Sequence, residues 1–561
     1  MKQIKRSLTP DTSVSRSKIS HGKTVVFLRK EVLLTDPGRK PRKPQLNVTT
    51  YRPLVPSSLC GNVSGKTARK PNVLLIIADD LRPTLGCYGD ELALTPSIDS
   101  LAQDGVLFTN AHAQQALCGP SRTSFLTSRR PDTLRVYENH CHYWRHTVGN
   151  FTTIPQYFKE SGYHTVSVGK VFHPGLSDDY SASCNPYSNC ESHYPAVCPD
   201  PSGTPKANLL CAVNVSTQPL QTLPDLQNVE VATEFLRKWP SREGRNSTQT
   251  PFFLAVGFYK PHVPFRIPQE YLELYPIERI KLPPNHELPA ELPPVAWNPW
   301  TDVRKRHDAS LLNVSFPYGP LPVDFQKEIR RHYYAAVTYM DEQVGRVLTA
   351  LDEAGLRNDT LIVFVGDHGW SLGEHQEYSK FSNFQMATNI PLIVSPPRSQ
   401  RSSPRGKGAE RVDDPVALVD LFPTLASLAS LPVPPSCRSS GGSSQSETTC
   451  TDGINLVHPV QRKEVLHQYP RPSDTPQENS DQPALEDIRI MGYSMLSRDY
   501  RYTEWIGFDP TNFRRNWTSV YARELYNLSS DPREDRNVAG SPEYKDVVVA
   551  LSSRLRELVG S

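Results

Sequence analysis

No stretch of the 561 residues stays apolar for anything near the roughly 20 positions a membrane-spanning helix needs, so the chain reads as having no membrane span. Self-similarity at a fixed period is missing, which excludes solenoids and propellers. P-loop, G-x-G-x-x-G and H-E-x-x-H signatures are absent, and the enzyme classes that depend on them lose their support. No two cysteines stand at C-x-x-C spacing, so neither a zinc ribbon nor a thioredoxin-type pair is written here. The first 30 residues hold no signal-type apolar run: TVVFL at 24 to 28 falls short of the roughly 7 to 15 residues required. Proline, by contrast, is abundant at 52 residues, which speaks for a loop-rich globular chain rather than a coiled coil.

The net charge of +3 conceals an asymmetry. Residues 1–70 carry 16 Lys and Arg against 3 Asp and Glu, and the remaining chain is therefore acidic, at −10. The basic segment is expected to be a disordered leader, and its charge gives no ground for a nucleic-acid partner of the folded part. Nine N-x-S/T sequons, at Asn47, Asn62, Asn150, Asn214, Asn246, Asn313, Asn358, Asn516 and Asn527, fit passage through a secretory route.

Folded structure is expected from Pro71 onward, with a catalytic domain over 71–455 and a smaller C-terminal α+β subdomain over 456–561. Strand-like runs alternate with helical patterns, which argues for an α/β fold with a large central, mostly parallel mixed sheet flanked by helices. The clearest helix covers 324–354: Ile329, Tyr333, Val337, Met340, Val344, Val347 and Leu351 recur at spacings of three and four, and Gly355 stands where it should stop. LIVFVG follows as a strand buried on both faces. PVPPSCRSSGGSSQSETTC reads as an exposed loop tied at its base by Cys437 and Cys450 and open to proteolytic nicking. Beyond it come IRIMGYSML and YRYTEWIGF, both strand-like, and a terminal helix near 541–559.

Four strand-like runs end in polar clusters. NVLLIIADD ends in Asp79 and Asp80, HTVSVGKVFH in Lys170 and His173, PFFLAVGFYKPH in Lys260 and His262, and LIVFVGDHGW in Asp367 and His368. Taken singly, an Asp-Asp after a strand is usually a cap or turn, and the lysines and histidines could be surface residues. In open parallel sheets, however, ligands bind beyond the carboxyl ends of the strands, so four such clusters are expected to converge. Gly369 is expected to let backbone approach a ligand closely. Three carboxylates and an imidazole suit a hard cation such as Ca²⁺ or Mg²⁺ better than zinc, and the basic residues would face a doubly charged oxyanion.

CGPSRTSFLTSRR, from Cys118, reads as the start of a short amphipathic helix, with Pro120 in its first turn and Arg122 one turn in. A buried structural cysteine is the plain reading of Cys118, and a thiolate nucleophile is the other. A thiolate beside a hard cation is chemically mismatched, so an oxygen nucleophile would fit better.

Cys118-Gly-Pro-Ser-Arg122 resembles the C-x-P-S-R signature of the sulfatase family, in which the cysteine is oxidised to formylglycine (3-oxoalanine). Asp79-Asp80 and Asp367-His368-Gly369 occur in that family's order. NVLLIIADDLRPTLGCYGD, VSVGKVFHPG, KPHVPF, DHGWSLGEH, QYPRPSD and IMGYS resemble its lysosomal branch that removes the 2-sulfate of terminal iduronate from heparan and dermatan sulfate. The resemblance implies an alkaline-phosphatase-like fold, a sulfuric ester hydrolase, a lysosomal or secretory location, a sulfated glycosaminoglycan substrate and maturation by the formylglycine-generating enzyme. It implies one calcium ion on Asp79, Asp80, Asp367, His368 and the formylglycine from Cys118. Arg122, Lys170, His173, His262 and Lys380 would surround aldehyde and sulfate, with Trp370 bordering the sugar pocket. It pairs Cys198 with Cys211 and Cys437 with Cys450, and leaves Cys60, Cys87, Cys141, Cys184 and Cys190 unassigned. The family usually has glycine where this chain has Ser128.

In the mechanism so implied, a hydroxyl of the hydrated aldehyde attacks sulfur, His262 with Lys380 nearby protonates the departing alcohol, and His173 takes the second hydroxyl's proton as sulfate leaves. A related phosphatase or phosphodiesterase, which would present Ser or Thr and two zinc ions, is the competing enzyme reading. A catalytically silent glycan-binding protein with an unconverted thiol is the competing non-enzyme reading.

Overall fold

The computed structural model describes residues 70–560 except 140–143, 174–195, 200–203, 242–249, 401–409, 438–447 and 458–461. The basic leader, Cys60, Cys141, Cys184, Cys190 and the interior of the Ser-rich loop therefore lie outside the described residues.

An eight-stranded sheet forms the centre. Its main strands are β1 (Asn72–Asp79), β2 (Val106–His112), β3 (His164–Gly169), β4 (Phe252–Pro261), β5 (Thr360–Gly366) and β6 (Asn389–Ser395). The order across it is Glu410–Val412, β2, β6, β5, β1, β4, β3, with Val416–Ala417 also on β2. Neighbours β5, β1, β4 and β3 are parallel to one another, and β6 runs antiparallel to β2 and β5. The mixed, mostly parallel sheet expected from the alternating pattern is present. Its four polar-ended runs are these four adjacent parallel strands, so their carboxyl ends share one edge.

β1 shows why the runs are uninterrupted. Leu74, Ile76 and Ala78 enter one core and Val73, Leu75 and Ile77 the other, so neither face meets water. The long helix spans Val323–Glu353, and all seven residues of its apolar stripe lie in the first core. Gly355, at φ +71°, ends it in the left-handed conformation that glycine adopts without steric cost.

We label the helix Cys118–Thr127 α1, Val323–Glu353 α2 and Lys545–Val559 α3. The amphipathic reading of α1 is corrected: all ten of its residues are buried. Two of its hydroxyls are taken up by nearby carbonyls, Thr127 Oγ1 donating to that of Thr123 at 2.7 Å and Ser124 Oγ to that of Arg129 at 2.5 Å. A helix buried all round needs no apolar stripe.

The C-terminal subdomain is a four-stranded antiparallel sheet of β7 (Val465–Arg471), β8 (Ile490–Leu496), β9 (Tyr500–Asp509) and β10 (Arg514–Asn527). Leu555 of α3 packs with Met491, Tyr493 and Tyr502 against it. Its described residues belong to the same compact unit as the large sheet. Disulfides join Cys198 to Cys211 and Cys437 to Cys450, while Cys87 and Cys118 are free.

Candidate active site

Cys118 opens α1 beneath the shared strand edge and is 1% exposed. Its sulfur lies 3.4 Å from Asp79 Oδ1, 3.9 Å from Asp80 Oδ1, 3.3 Å from His368 Nε2, 3.1 Å from Lys380 Nζ and 3.7 Å from Lys170 Nζ. Arg122, one turn along α1, bridges two strand ends: Nη2 donates to Asp79 Oδ1 at 3.0 Å and Nε to Asp367 Oδ2 at 2.9 Å. Lys170 Nζ donates to Asp79 Oδ2, and Lys380 Nζ to Asp80 Oδ1 at 2.6 Å. Convergence, the main inference from the sequence, is therefore seen in the geometry.

The backbone is shaped to allow it. Gly169, the last residue of β3, pairs with Gly257 within β4, and a Cβ on either would strike backbone atoms of the opposing strand or its continuation. That close approach brings Lys170 to the edge. Asp80 is left-handed at φ +61°, an uncommon conformation that Asp tolerates better than most residues. Its amide donates to Asp367 Oδ1 at 3.0 Å and its carbonyl accepts from Tyr333 Oη at 2.8 Å.

Electrostatics differ sharply between neighbours. Burial pushes the Asp79 carboxyl up, but Lys170, His262, Arg122 and Lys380 together hold it well below the usual carboxylate range. Asp80 is pushed up by burial to about 7, against the pull of Lys380. Burial and Asp79 oppose ionisation of Cys118, yet Lys170, Lys380 and His368 bring the thiol below its ordinary value. Burial lowers His368, but the Asp367 carboxylate outweighs it and the imidazole rises to about 9. His173 and His262 both fall well below their usual value, first through burial and then through Lys170.

The donor set fits a hard divalent cation. Asp79, Cys118, Asp367 and His368 each offer an atom within 4.8 Å of the others, as do Asp79, Asp80, Cys118 and His262. Asp80 Oδ2 is buried and accepts no hydrogen bond, with His262 Nε2 3.9 Å away. His368 Nδ1 faces the Gly369 carbonyl at 3.0 Å, which leaves Nε2 directed at the cluster. Three carboxylates at one point are an oxygen-rich set of the kind that calcium or magnesium prefers.

Three expectations need adjustment. Trp370 is fully buried, stacked on Tyr333 with ring centroids 5.8 Å apart and edge-on to Phe265, so it packs in the core rather than facing an open sugar pocket. Gly369 makes room for the Met386 carbonyl, not for a ligand. Lys260 turns its ammonium to the carbonyls of His262 and Pro264, at 2.6 and 2.8 Å, and so holds the turn that carries His262. Three contributors were not anticipated: Ser121, whose hydroxyl donates to the Asp367 carbonyl at 2.5 Å; Tyr333; and Asn139, whose Oδ1 accepts the Gly119 amide at 2.9 Å beside position 118. A tyrosine inside an otherwise aliphatic helix stripe is the one signal that was available, since its buried hydroxyl needs a partner.

A fold with basic and acidic side chains gathered around the first residue of a C-G-P-S-R helix is that of a sulfate-ester hydrolase, and the chain belongs to the sulfatase family, whose model matches residues 71–431. Within that family it is 49% identical over 544 residues to the iduronate 2-sulfatase of Homo sapiens, covering 89% of this chain and 97% of that one. It is 48% identical over 523 residues to the iduronate 2-sulfatase of Mus musculus, covering 86% and 93%. Among solved structures, the phosphonate monoester hydrolase of Agrobacterium radiobacter matches with a TM-score of 0.61 at 22% identity, over 87% of this chain and 95% of that one. A 2-O GAG sulfatase matches at 0.57 and 21% identity, over 87% and 92%. These two likenesses establish the alkaline-phosphatase-like fold.

Proposed function

We propose that this sulfatase acts on glycosaminoglycans and removes the 2-sulfate of terminal iduronate in heparan and dermatan sulfate. Identity near one half over almost the whole length of relatives named for that reaction supports the substrate. The single observation that carries the chemistry is the set of groups within 4 Å of the Cys118 sulfur. Residue 118, converted to formylglycine by the formylglycine-generating enzyme, supplies an oxygen nucleophile that a thiol cannot. Asp79, Asp80, Asp367 and His368, with residue 118, would hold a calcium ion that supplies fixed positive charge beside the sulfate oxygens.

The remaining work falls to the protein's own side chains. Lys170, Lys380 and Arg122 are held by carboxylates in fixed positions, so their charge meets the sulfuryl oxygens without reorganisation. Ser121 ties the start of α1 to the Asp367 carbonyl and Asn139 holds the Gly119 amide, and together they support the position of residue 118. His262, at the partly exposed side of the cluster and held neutral like His173, stands where it can relay a proton to the departing sugar oxygen once it has taken one up. His173, kept neutral by burial and by Lys170, is in the form that accepts a proton as sulfate leaves.

The sequons support a secretory or lysosomal route. Of the six whose asparagine is described, Asn150, Asn214, Asn313, Asn358 and Asn516 are exposed and Asn527 is half-buried. Among the described residues no helix is long and apolar enough to cross a membrane. We place the domain boundary near 455, between the large sheet and β7. The reading is tested by desulfation of defined disaccharides carrying a terminal 2-sulfated iduronate, with and without calcium chelation. Turnover lost on chelation and regained with calcium is the expected result, and turnover indifferent to chelation refutes the calcium assignment.

A further inference from the structure

Between β10 and α3 lies an open groove of about 800 Å³ that the chemistry at residue 118 does not use. Its lining includes three cations, Arg523, Lys545 and Arg556, and three hydroxyls, Ser541, Ser552 and Ser553, but no carboxylate. The two guanidinium groups are anchored from beneath. The buried Glu504 accepts from Arg523 Nε and from Arg556 Nη2, each at 3.2 Å. The Trp517 ring backs Arg556, with its centroid 5.2 Å from the guanidinium carbon.

One carboxylate shared by two guanidiniums leaves a positive charge over, and Lys545 adds a second. Arg556 Nε itself is buried, while the side chain as a whole is 34% exposed, so the guanidinium meets the groove through its other atoms. Planar donors fixed by a carboxylate lose little freedom when they meet an anion, which favours recognition of an oxyanion by these arginines. Three hydroxyls and the exposed Val549 suit the alternating polar edges and apolar faces of a sugar chain.

We propose that this groove is a second binding site for a sulfated oligosaccharide, taking a stretch of the substrate polymer away from the sugar being hydrolysed. The proposal rests on the glycosaminoglycan reading, and it places length preference in the C-terminal subdomain, outside the catalytic cluster. The test uses the double variant Arg523→Ala/Lys545→Ala, which spares Arg556 and its packing on Trp517. Binding of a heparan-sulfate-derived octasaccharide is followed by tryptophan fluorescence, with an uncharged oligosaccharide of equal length as control. Affinity for the octasaccharide is expected to drop roughly 5- to 20-fold in the variant, with a shallower salt dependence in proportion to the charges removed. KM for an octasaccharide substrate should rise by a similar factor, with kcat unchanged and disaccharide turnover unaffected. Equal octasaccharide affinity in variant and wild type overturns the proposal, as does a parallel change in disaccharide and octasaccharide kinetics. If wild type binds the octasaccharide through these residues yet desulfates neither substrate, the groove stands and the glycosaminoglycan sulfatase reading fails instead.

Discussion

Two buried charge clusters in this molecule look alike in composition and differ in one respect. In the C-terminal sheet, Arg501 is fully buried, with Nε on Glu534 Oε1 at 2.5 Å, Nη1 on Thr503 Oγ1 at 3.0 Å and Nη2 on Glu524 Oε2 at 3.4 Å. Glu524 also accepts from Trp505 Nε1 at 2.8 Å and Tyr526 Oη at 2.9 Å, and Glu534 from the Gln385 amide at 2.9 Å. Every carboxylate oxygen there has a donor. Around Cys118 the charges are as dense, yet Asp80 Oδ2 accepts no hydrogen bond and a free thiol sits at the centre. Burial and charge are therefore common to scaffold and site. What separates them is convergence on a group that the protein itself leaves unsatisfied.

The comparison predicts opposite phenotypes. Cys118→Ala should fold with near wild-type thermal stability and lose turnover by on the order of 10⁴-fold or more, because the nucleophile is gone while its surroundings remain. An active variant would break the covalent account, and a circular-dichroism melt alongside the assay checks the fold. Arg501→Ala should do the reverse. It leaves Glu524 and Glu534 buried without their partner and should cost about 3–5 kcal/mol of stability, while the folded fraction keeps its kcat. A denaturant titration with activity measured on the same sample reads both quantities.

A third expected effect is smaller and depends on pH. His112 and His467 are buried at the seam between the large sheet and β7, with ring centroids 6.4 Å apart and nearly parallel. Burial lowers His112 to about 3, and burial together with His112 lowers His467 well below its usual value. Both imidazoles are thus neutral when folded and protonate more readily when unfolded. Their contribution is complete above the unfolded value near 6.5 and is lost as pH falls toward the folded one. At pH 5 the loss is about 2 kcal/mol for His112 alone. The drop in Tm between pH 7 and 5 should therefore shrink in His112→Gln; an unchanged drop would remove this pair from the account.

The smallest effect concerns Ser128, where the family usually has glycine. Ser128 is left-handed at φ +53° and ends α1, a position that glycine fills without strain. Its hydroxyl recovers a hydrogen bond to the Val419 carbonyl at 2.5 Å. Strain of about 1–2 kcal/mol and a hydrogen bond of about 0.5–1.5 kcal/mol nearly cancel. Ser128→Gly should therefore shift stability by less than about 1 kcal/mol, as a denaturant midpoint would show.

The sequence made the strand ends legible because side-chain period, strand length and the rule that ligands gather at carboxyl ends act over short distances. Asp79, Asp80, Lys170, His262, Asp367 and His368 were all reachable in that way. Trp370 was misplaced because following a catalytic motif says nothing about which way a ring turns, and this one turns onto Tyr333 and Phe265. The burial of α1 was hidden because backbone carbonyls take up its hydroxyls, that of Ser121 going to Asp367, that of Ser124 to Arg129 and that of Thr127 to Thr123, and composition reads such residues as exposed. Asn139 and Tyr333 reach the cluster from segments whose local pattern carries no mark of it. Such contacts are properties of the tertiary arrangement alone.

The most direct test of the central claim is the mass of the peptide containing residue 118, taken from enzyme that is turning over sulfated disaccharide. The account predicts a mass about 18 Da below that of the cysteine peptide, in proportion to specific activity. Full activity from protein that carries only an unmodified thiol at 118 would contradict it.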